Sequence, residues 1–187
     1  LDDNFTLAHI GSFLSERNPQ ILWQALSELV AEEDGFSAHF RLKLIGAVSQ
    51  EVLASAKEYG LGEYIDALGY VSHSEALQQQ RSSQVLLLVE IDSPDTRCII
   101  PGKLFEYMVS ERPIVAIGPE GADFGAIVKT TNTGSFFNYS QKEELKENIR
   151  MLYREYRRGS LRSHGIGLQQ YSRKNLTQQL AVLVKQL

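Results

Sequence analysis

The sequence has little cysteine and no long hydrophobic run. Cys98 is the single cysteine among 187 residues, so no internal disulfide can form, and no His and Cys cluster has the spacing of metal ligands. We therefore predict neither a disulfide framework nor a metal site. No apolar stretch approaches the roughly 20 residues that span a bilayer, and no signal peptide is recognisable. Together these absences predict a cytoplasmic protein.

Positive charge is also scarce. The chain carries 19 Lys and Arg against 23 Asp and Glu, for a net charge of −4. Because proteins that bind nucleic acid usually have a basic excess, nucleic acid is not predicted as a partner. The hydrophobic content of 43% is ordinary, and the length suits one well-buried domain. Since strand-like sequence begins soon after Leu1, we expect a domain cut from a longer protein.

Short apolar segments alternate with helical segments along the chain. The predicted strands are Thr6–Ile10, Phe40–Ile45, Ile65–Tyr70, Val85–Val89, Ile114–Ile117 and Gly134–Phe137. The predicted helices are Pro19–Val30, Ser49–Tyr59, Ser72–Gln80, one that opens at Pro101, Ala122–Lys129, Gln141–Tyr156 and Gln169–Leu187. This alternation predicts an α/β fold, a Rossmann-like parallel sheet of about six strands with helices on both faces. Residues 1–187 are predicted to form a single domain.

The helix that opens at Pro101 and Gly102 carries most of the functional signal. Proline suits a first helical turn, where its missing N–H has no intrahelical partner. The apolar side chains with the spacing of a buried stripe are Leu104, Phe105, Met108 and Val109. Lys103 and Glu106 fall on a different face, so this side of the helix is available for a ligand.

A phosphate group is the ligand that this helix start favours. Its free N–H groups and the positive end of the helix dipole attract anions, and Lys103 adds a full charge. Glu106, one turn later, leans back toward the helix start and can accept hydrogen bonds from a ribose diol. The same spacing also occurs in α/β proteins without a ligand, and that interpretation stays open.

Loops at the carboxyl ends of the strands are predicted to form one crevice, as in other doubly wound sheets. The loops that would line it are Gly11–Asn18, Tyr70–Ser74, Glu90–Lys103 and Gly118–Asp123. Gly11 and Ser12 would let the backbone approach a diphosphate, and Arg17 offers a forked cation. Val71, Ser72 and His73 would contact a nucleobase edge. For Arg17 and His73, a solvated loop position is the alternative.

Several of these segments resemble one enzyme family. Pro101–Met108, followed by Glu111–Gly121, resembles the donor-site segment of GT-B glycosyltransferases of family 4. Ile10–Leu22 is similar to the opening strand, glycine loop and helix of that family, and Ala67–His73 is similar to its turn beside the base. The resemblance implies a nucleotide-diphosphate sugar as substrate, no cofactor and chemistry without a metal.

The resemblance further implies the C-terminal, donor-binding half of a two-domain enzyme of polysaccharide biosynthesis. Such an enzyme moves a hexose to a glycan or lipid-linked acceptor that lies mostly in the N-terminal half, so this fragment is expected to be inactive alone. The residues implied to bind the donor are Gly11, Ser12, Arg17, Val71, Ser72, His73, Gly102, Lys103, Leu104 and Glu106. Lys103 and Arg17 would also be catalytic, by stabilising the departing diphosphate.

Two positions depart from the family pattern. The first glutamate of its E-x7-E motif would stand eight positions before Glu106, where this chain has Cys98. The arginine that often follows the first-strand glycine is Ser12 here. The sequence therefore leaves open the base, the sugar, the acceptor, the retaining or inverting outcome and the oligomeric state.

Other interpretations remain beside this one. A sugar-nucleotide epimerase of similar architecture and a non-catalytic nucleotide-binding or docking domain fit the same pattern. A cluster of arginines could contact anionic lipid at the inner face of a membrane, and its members are Arg150, Arg154, Arg157, Arg158 and Arg162. The interspersed Glu147 and Glu155 favour instead a solvated helix face.

Overall fold

Six parallel strands build the sheet at the centre of this computed structural model, which describes residues 1–185. The strands are β1 Phe5–Ile10, β2 Phe40–Ile45, β3 Ile65–Gly69, β4 Val85–Val89, β5 Ile114–Ile117 and β6 Gly134–Phe137. Their order is β3-β2-β1-β4-β5-β6, with every pairing parallel. The order reverses between β1 and β4, which is where doubly wound sheets open a ligand crevice.

Helices cover both faces of the sheet. They are α1 Gln20–Glu32, α2 Phe36–His39, α3 Gln50–Glu58, α4 His73–Ser82, α5 Lys103–Met108, α6 Asp123–Thr130, α7 Lys142–Arg157 and α8 Arg173–Val184. The predicted α/β class and Rossmann-like parallel sheet are thus confirmed. Among residues 1–185, no helix has both the length and the apolar character needed to cross a membrane.

Alternate residues of the central strands supply two separate cores. Phe5 and Leu7 of β1 belong to the core that α1, α3 and α7 cover, with Trp23 at its centre. Ala8 and Ile10 of β1 belong to the opposite core, which α4, α5 and α6 cover. Because strands in such a sheet are buried on both faces, β4 is apolar at every position and reads as an unbroken run.

The helix after Pro101 differs from the prediction in one respect. It begins at Lys103 and ends at Met108, so Val109 lies beyond its last turn and is 68% exposed instead of buried. Tyr107 takes a place in the core and is fully buried. A buried tyrosine needs a hydrogen-bond partner for its hydroxyl, and Tyr107 has one in the backbone N–H of Ile10, 2.9 Å away.

The other differences lie at helix ends. The short helix α2 was not predicted, and it follows Gly35, whose φ of +71° allows the chain to reverse after α1. The predicted helix Gln169–Leu187 starts later than expected, because a 3-10 turn at Leu168–Tyr171 precedes α8. Ser172 caps α8, since its hydroxyl accepts a hydrogen bond from Asn175 N–H. Positions 186 and 187 of that prediction lie outside the described residues.

The arginine cluster of α7 is partly committed to packing against α1. Arg150 and Arg154 both reach Glu33, with N···O distances of 2.9 and 3.0 Å. Arg150 also pairs with Glu147 on its own helix. These ion pairs favour the interpretation of a solvated helix face for this part of the cluster.

Candidate functional site

A cavity of about 580 Å³ lies at the carboxyl edge of the sheet, beside the point where the strand order reverses. The loops after β1 and β4 line it together with α4 and the start of α5. Its polar side chains include Arg17, His73, Gln80, Glu90, Lys103 and Glu106. The edge that the sequence predicted as the crevice therefore holds a cavity of the size of a small-molecule site.

Gly11 brings backbone close to this cavity. Its φ of +117° is a conformation that other residues rarely adopt. A Cβ on the neighbouring Gly46 would stand 2.6 Å from Gly11 O, so both positions need glycine for the ends of β1 and β2 to pack. Ser12 and Gly102 also line the cavity, as predicted.

His9 lies fully buried beneath the cavity, near the end of β1. Its Nδ1 is 3.2 Å from Leu87 O, and its Nε2 is 3.0 Å from Lys103 Nζ. Burial, followed by the charge of Lys103, lowers the pKa of His9 to about 3, so the ring is neutral. Because an ammonium can only donate, Nε2 accepts from Lys103 and the Nδ1–H donates to Leu87 O.

Lys103 is fixed by two hydrogen bonds in the first turn of α5. Its Nζ donates to His9 Nε2 and to Ile10 O, the latter at 3.3 Å. Burial, and then the charge of Arg17, lower the pKa of Lys103 to about 8, while Glu90 opposes this shift. An ammonium has three protons, so one more hydrogen bond from Nζ is available to an anion in the cavity.

Arg17 forms a two-pronged ion pair with Glu90 at the end of β4. Nε lies 3.1 Å from Oε1 and Nη2 lies 3.4 Å from Oε2. The Glu90 side chain is 2% exposed, and its Oε1 also accepts from Ile91 N–H at 2.9 Å. Tyr139 donates its hydroxyl to Glu90 O. Arg17 is therefore held in place, and it is not a freely solvated loop residue.

Glu106 stands on the exposed face of α5 at the rim of the cavity. Its Oε2 accepts from Gln80 Nε2, at 3.1 Å, across the gap between α4 and α5. Among residues 1–185, no hydrogen bond to Glu106 Oε1 is present, so this oxygen can accept from a ligand. Gln80 was not predicted as a site residue, because its role depends on a helix that is distant in sequence.

Tyr107 fixes α5 against β1. Its hydroxyl accepts from Ile10 N–H at 2.9 Å and lies 3.4 Å from Ile10 O, to which it can donate. Burial raises the pKa of Tyr107, so the hydroxyl stays protonated. This contact keeps Lys103 above the end of β1.

The predicted turn beside the base has a structural role of its own. Ser72 caps α4: its hydroxyl accepts from Glu75 N–H, and the Glu75 carboxylate accepts from Ser72 N–H at 2.9 Å. His73 lines the cavity and is exposed. In the described part of the chain, the lining does not include Val71 or Ser72, and Val71 packs against the apolar core.

Two further predicted features lie near the cavity but outside its lining. Leu104 is fully buried in the core beneath it. The loop Gly118–Asp123 contacts the neighbouring loop instead, through a hydrogen bond from Asp123 N–H to Arg97 O at 2.8 Å. Cys98 is exposed. Over residues 1–185, no group of three or more His, Cys, Asp or Glu side chains could hold a metal ion.

Comparison with solved structures finds the same fold in larger proteins. HepE from Anabaena, in complex with UDP, superposes with a TM-score of 0.72 and 15% identity over 99% of this chain and 50% of its own. WaaG, a glycosyltransferase involved in lipopolysaccharide biosynthesis, gives 0.66 and 14% over 84% of this chain and 40% of its own. The C-terminal domain of LpcC from Francisella tularensis gives 0.57 and 15%, over 82% and 77% respectively.

The chain thus spans half or less of the length of HepE and WaaG. A comparison with curated protein sequences finds no significant match. The sequence model described as "Glycosyl transferases group 1" matches residues 4–155, which is most of the chain. The chain therefore belongs to the group 1 glycosyl transferase family.

Proposed function

We propose that this chain is the donor-binding half of a two-domain GT-B glycosyltransferase and binds a nucleoside diphosphate sugar in the carboxyl-edge cavity. The observation that carries the proposal is the convergence of Lys103, Arg17 and Glu106 on one cavity, beside the backbone of Gly11. Two cations suit a diphosphate, and a carboxylate at the rim suits a ribose.

The diphosphate would lie between Lys103 and Arg17. Both cations are oriented before a ligand arrives, Lys103 by His9 and Arg17 by Glu90. Preorganised charges stabilise developing negative charge most effectively, so these two residues would support departure of the nucleoside diphosphate without a metal. Because α5 has six residues, we assign most of the attraction to the side chains and little to the helix dipole.

The nucleoside would extend toward α4. Glu106 Oε1 would accept from a ribose hydroxyl, with Gln80 holding the carboxylate at the rim. His73, which lines the cavity at the start of α4, would contact the base. Val71 would contribute through its backbone carbonyl. Both backbone groups of Ser72 are engaged, its N–H by Glu75 and its carbonyl by Ala76 N–H, so we assign Ser72 to the cap of α4 and not to the base.

The ligands of solved neighbours support this donor class. HepE has been solved with UDP and with UDP-glucose, and the pneumococcal O-GlcNAc transferase GtfA with UDP and GlcNAc. We propose hexosyl transfer to a glycan or lipid-linked acceptor that an N-terminal half binds, with a cytoplasmic site of action at the inner face of a membrane. The 187-residue chain alone would then bind donor weakly and transfer no sugar.

Calorimetric titration of the chain with UDP, GDP and ADP tests the proposal. We expect saturable binding of at least one nucleotide, weakened about tenfold by Glu106→Ala through loss of a charged hydrogen bond. Glu58→Ala is the matched control, because Glu58 is an exposed glutamate at the far end of α3. Failure of all three nucleotides to bind would favour a docking domain. Sugar transfer by the isolated chain would contradict the proposal that the reaction requires an acceptor-binding N-terminal half.

A further inference from the structure

The amino-terminal edge of the sheet, opposite the donor cavity, holds a cavity of about 980 Å³. It lies between the end of α4, the segment that joins α5 to β5, and the chain that follows α7. Hydrogen bonds from Ser163 N–H to Glu111 O and from Ile166 N–H to Thr131 O hold that last segment in place. Three arginines from these three segments, Arg81, Arg112 and Arg162, line the cavity.

Arg112 is buried, and it has no acidic partner within residues 1–185. The residue is 6% exposed, and its guanidinium donates to Gln84 O at 3.2 and 2.9 Å and to Gln84 Oε1 at 3.0 Å. Both acceptors are neutral. Buried charges in proteins are normally paired with opposite charge, because burial of a lone charge is costly. Among residues 1–185, no hydrogen bond from Arg112 Nη1 is present, so this nitrogen is available to a ligand.

Most of the other charged side chains that line the cavity are positive. Burial and the nearby charge of Arg162 both lower the pKa of Arg112. In the described chain, no ion pair involves Arg81, Arg112 or Arg162. Of the described residues that line the cavity, Glu111 is the one acid, and His164 lies there too.

The segment that follows Glu155, part of which lines the cavity, is also rich in basic residues. No Asp or Glu follows Glu155, whereas six Lys and Arg residues do: Arg157, Arg158, Arg162, Arg173, Lys174 and Lys185. The whole chain has a net charge of −4, so this basic segment contrasts with an acidic remainder. A positive potential of this kind concentrates anions at the nearby surface.

We propose that this cavity is a second ligand site, which binds a phosphate group with Arg112 at its floor and Arg162 and Arg81 at its rim. The planar guanidinium matches two phosphate oxygens at once, and arginine is therefore the usual side chain for this ligand. The phosphate would belong to a free phosphorylated metabolite or to a lipid headgroup. Its charge would supply the anionic partner that residues 1–185 do not provide.

Titration with inorganic phosphate, followed by amide NMR shifts, tests the site. We expect saturable shifts at Arg112 and Ser163, and at least about tenfold weaker binding in the double variant Arg81→Gln/Arg162→Gln, since each arginine offers charged hydrogen bonds. The double variant Lys57→Gln/Arg97→Gln is matched in charge, and both of its positions are exposed, outside the lining and outside the basic segment that follows Glu155. Arg112 is left unchanged because it supports the carbonyl of Gln84.

Vesicle sedimentation distinguishes the two sources of phosphate. Retention on phosphatidylcholine vesicles that contain phosphatidylglycerol, lost in the Arg81/Arg162 double variant but kept in the control, would identify a lipid headgroup. Phosphate shifts without vesicle retention would identify a free metabolite. The proposal is overturned if neither phosphate shifts nor vesicle retention depends on Arg81 and Arg162, or if the control variant weakens both equally.

Discussion

The two edges of the sheet place their positive charges in opposite ways. At the carboxyl edge, the cations Lys103 and Arg17 lie beside a buried acid, Glu90, and a neutral acceptor, His9. At the amino edge, Arg112 and Arg162 lie together without an ion pair in the described chain. One cavity fixes its cations with protein groups, and the other leaves their charge uncompensated.

This difference shows how each edge would respond to an anion. At the carboxyl edge the side chains are already oriented, so little reorganisation accompanies binding. The charge of Lys103 there depends on pH near neutrality, because its pKa is about 8. At the amino edge, guanidinium groups stay charged at any physiological pH, so an anion mainly relieves repulsion. Changing one charge at a time should therefore separate the two sites.

The largest effect is expected from Lys103→Ala. If Lys103 contacts the diphosphate as proposed, removal of its half-buried ammonium should weaken UDP binding about 100-fold, which corresponds to the upper range for a charged hydrogen bond. Phosphate shifts at Arg112 should not change, because the two cavities lie at opposite edges. Calorimetry measures the first and NMR the second, with Lys57→Ala as an exposed lysine control. Equal losses at both sites would abolish the distinction between the edges.

Glu90→Gln should make the carboxyl edge resemble the amino edge. The variant leaves Arg17 and Lys103 without a compensating acid, and loss of one partner of a buried ion pair is strongly destabilising. Because the Arg17 side chain is 26% exposed, we expect a smaller loss, about 2 kcal/mol of unfolding free energy. Urea denaturation measures it, and Glu58→Gln serves as the exposed control. An unchanged midpoint would show that Glu90 is not needed as a counter-charge.

The pH dependence of UDP binding tests whether the charge of Lys103 contributes to affinity. A diphosphate beside Nζ stabilises the protonated form, so the pKa of Lys103 is higher in the complex than its value of about 8 in the free protein. The terminal phosphate of UDP has its own pKa of about 6, so UDP affinity should be flat only between about pH 7 and pH 8. Above pH 8 it should fall by up to about tenfold per unit.

His9, which contacts Nζ, has a pKa of about 3 and stays neutral over this pH range, so it does not reproduce the profile. The other charged groups that face the cavity with Lys103 are Arg17, Glu90 at the end of β4 and Glu106 on α5. Calorimetry between pH 6 and 9.5 gives the measurement. Lys103→Arg removes the titration and should flatten the curve, and a wild-type curve that stays flat would contradict the assignment.

The sequence predicted the sheet better than the site. The strands β2, β4, β5 and β6 have the predicted bounds, because unbroken or alternating apolar runs are local signals. Lys103 and Glu106 were predicted from the pattern of a single helix. His9 was not predicted, since its partner Lys103 is 94 residues away and a lone histidine in an apolar strand carries no local signal of a contact.

The same limit explains the turn before α4. The sequence assigned Ser72 to the nucleotide because of its place at the carboxyl edge, yet Ser72 and Glu75 are also a capping box. Both roles have the same local pattern, serine before a helix. Only the hydrogen bonds of the structure show that the hydroxyl and the N–H are engaged in the cap.

The smallest effect is expected from Ser72→Ala, which separates these two roles. Loss of the cap should reduce the unfolding free energy by about 1 kcal/mol. UDP affinity should stay within about twofold, a change of about 0.4 kcal/mol, because Ser72 lies outside the cavity lining among the described residues. Ser49→Ala is the matched control: Ser49 caps α3 at the same edge, through its contact with Val52 N–H, but lies outside the cavity lining among the described residues. If Ser72→Ala weakens UDP binding much more than Ser49→Ala does at equal loss of stability, the hydroxyl also contacts the nucleotide. The Ser72 hydroxyl would then both cap α4 and contact the ligand at the carboxyl edge.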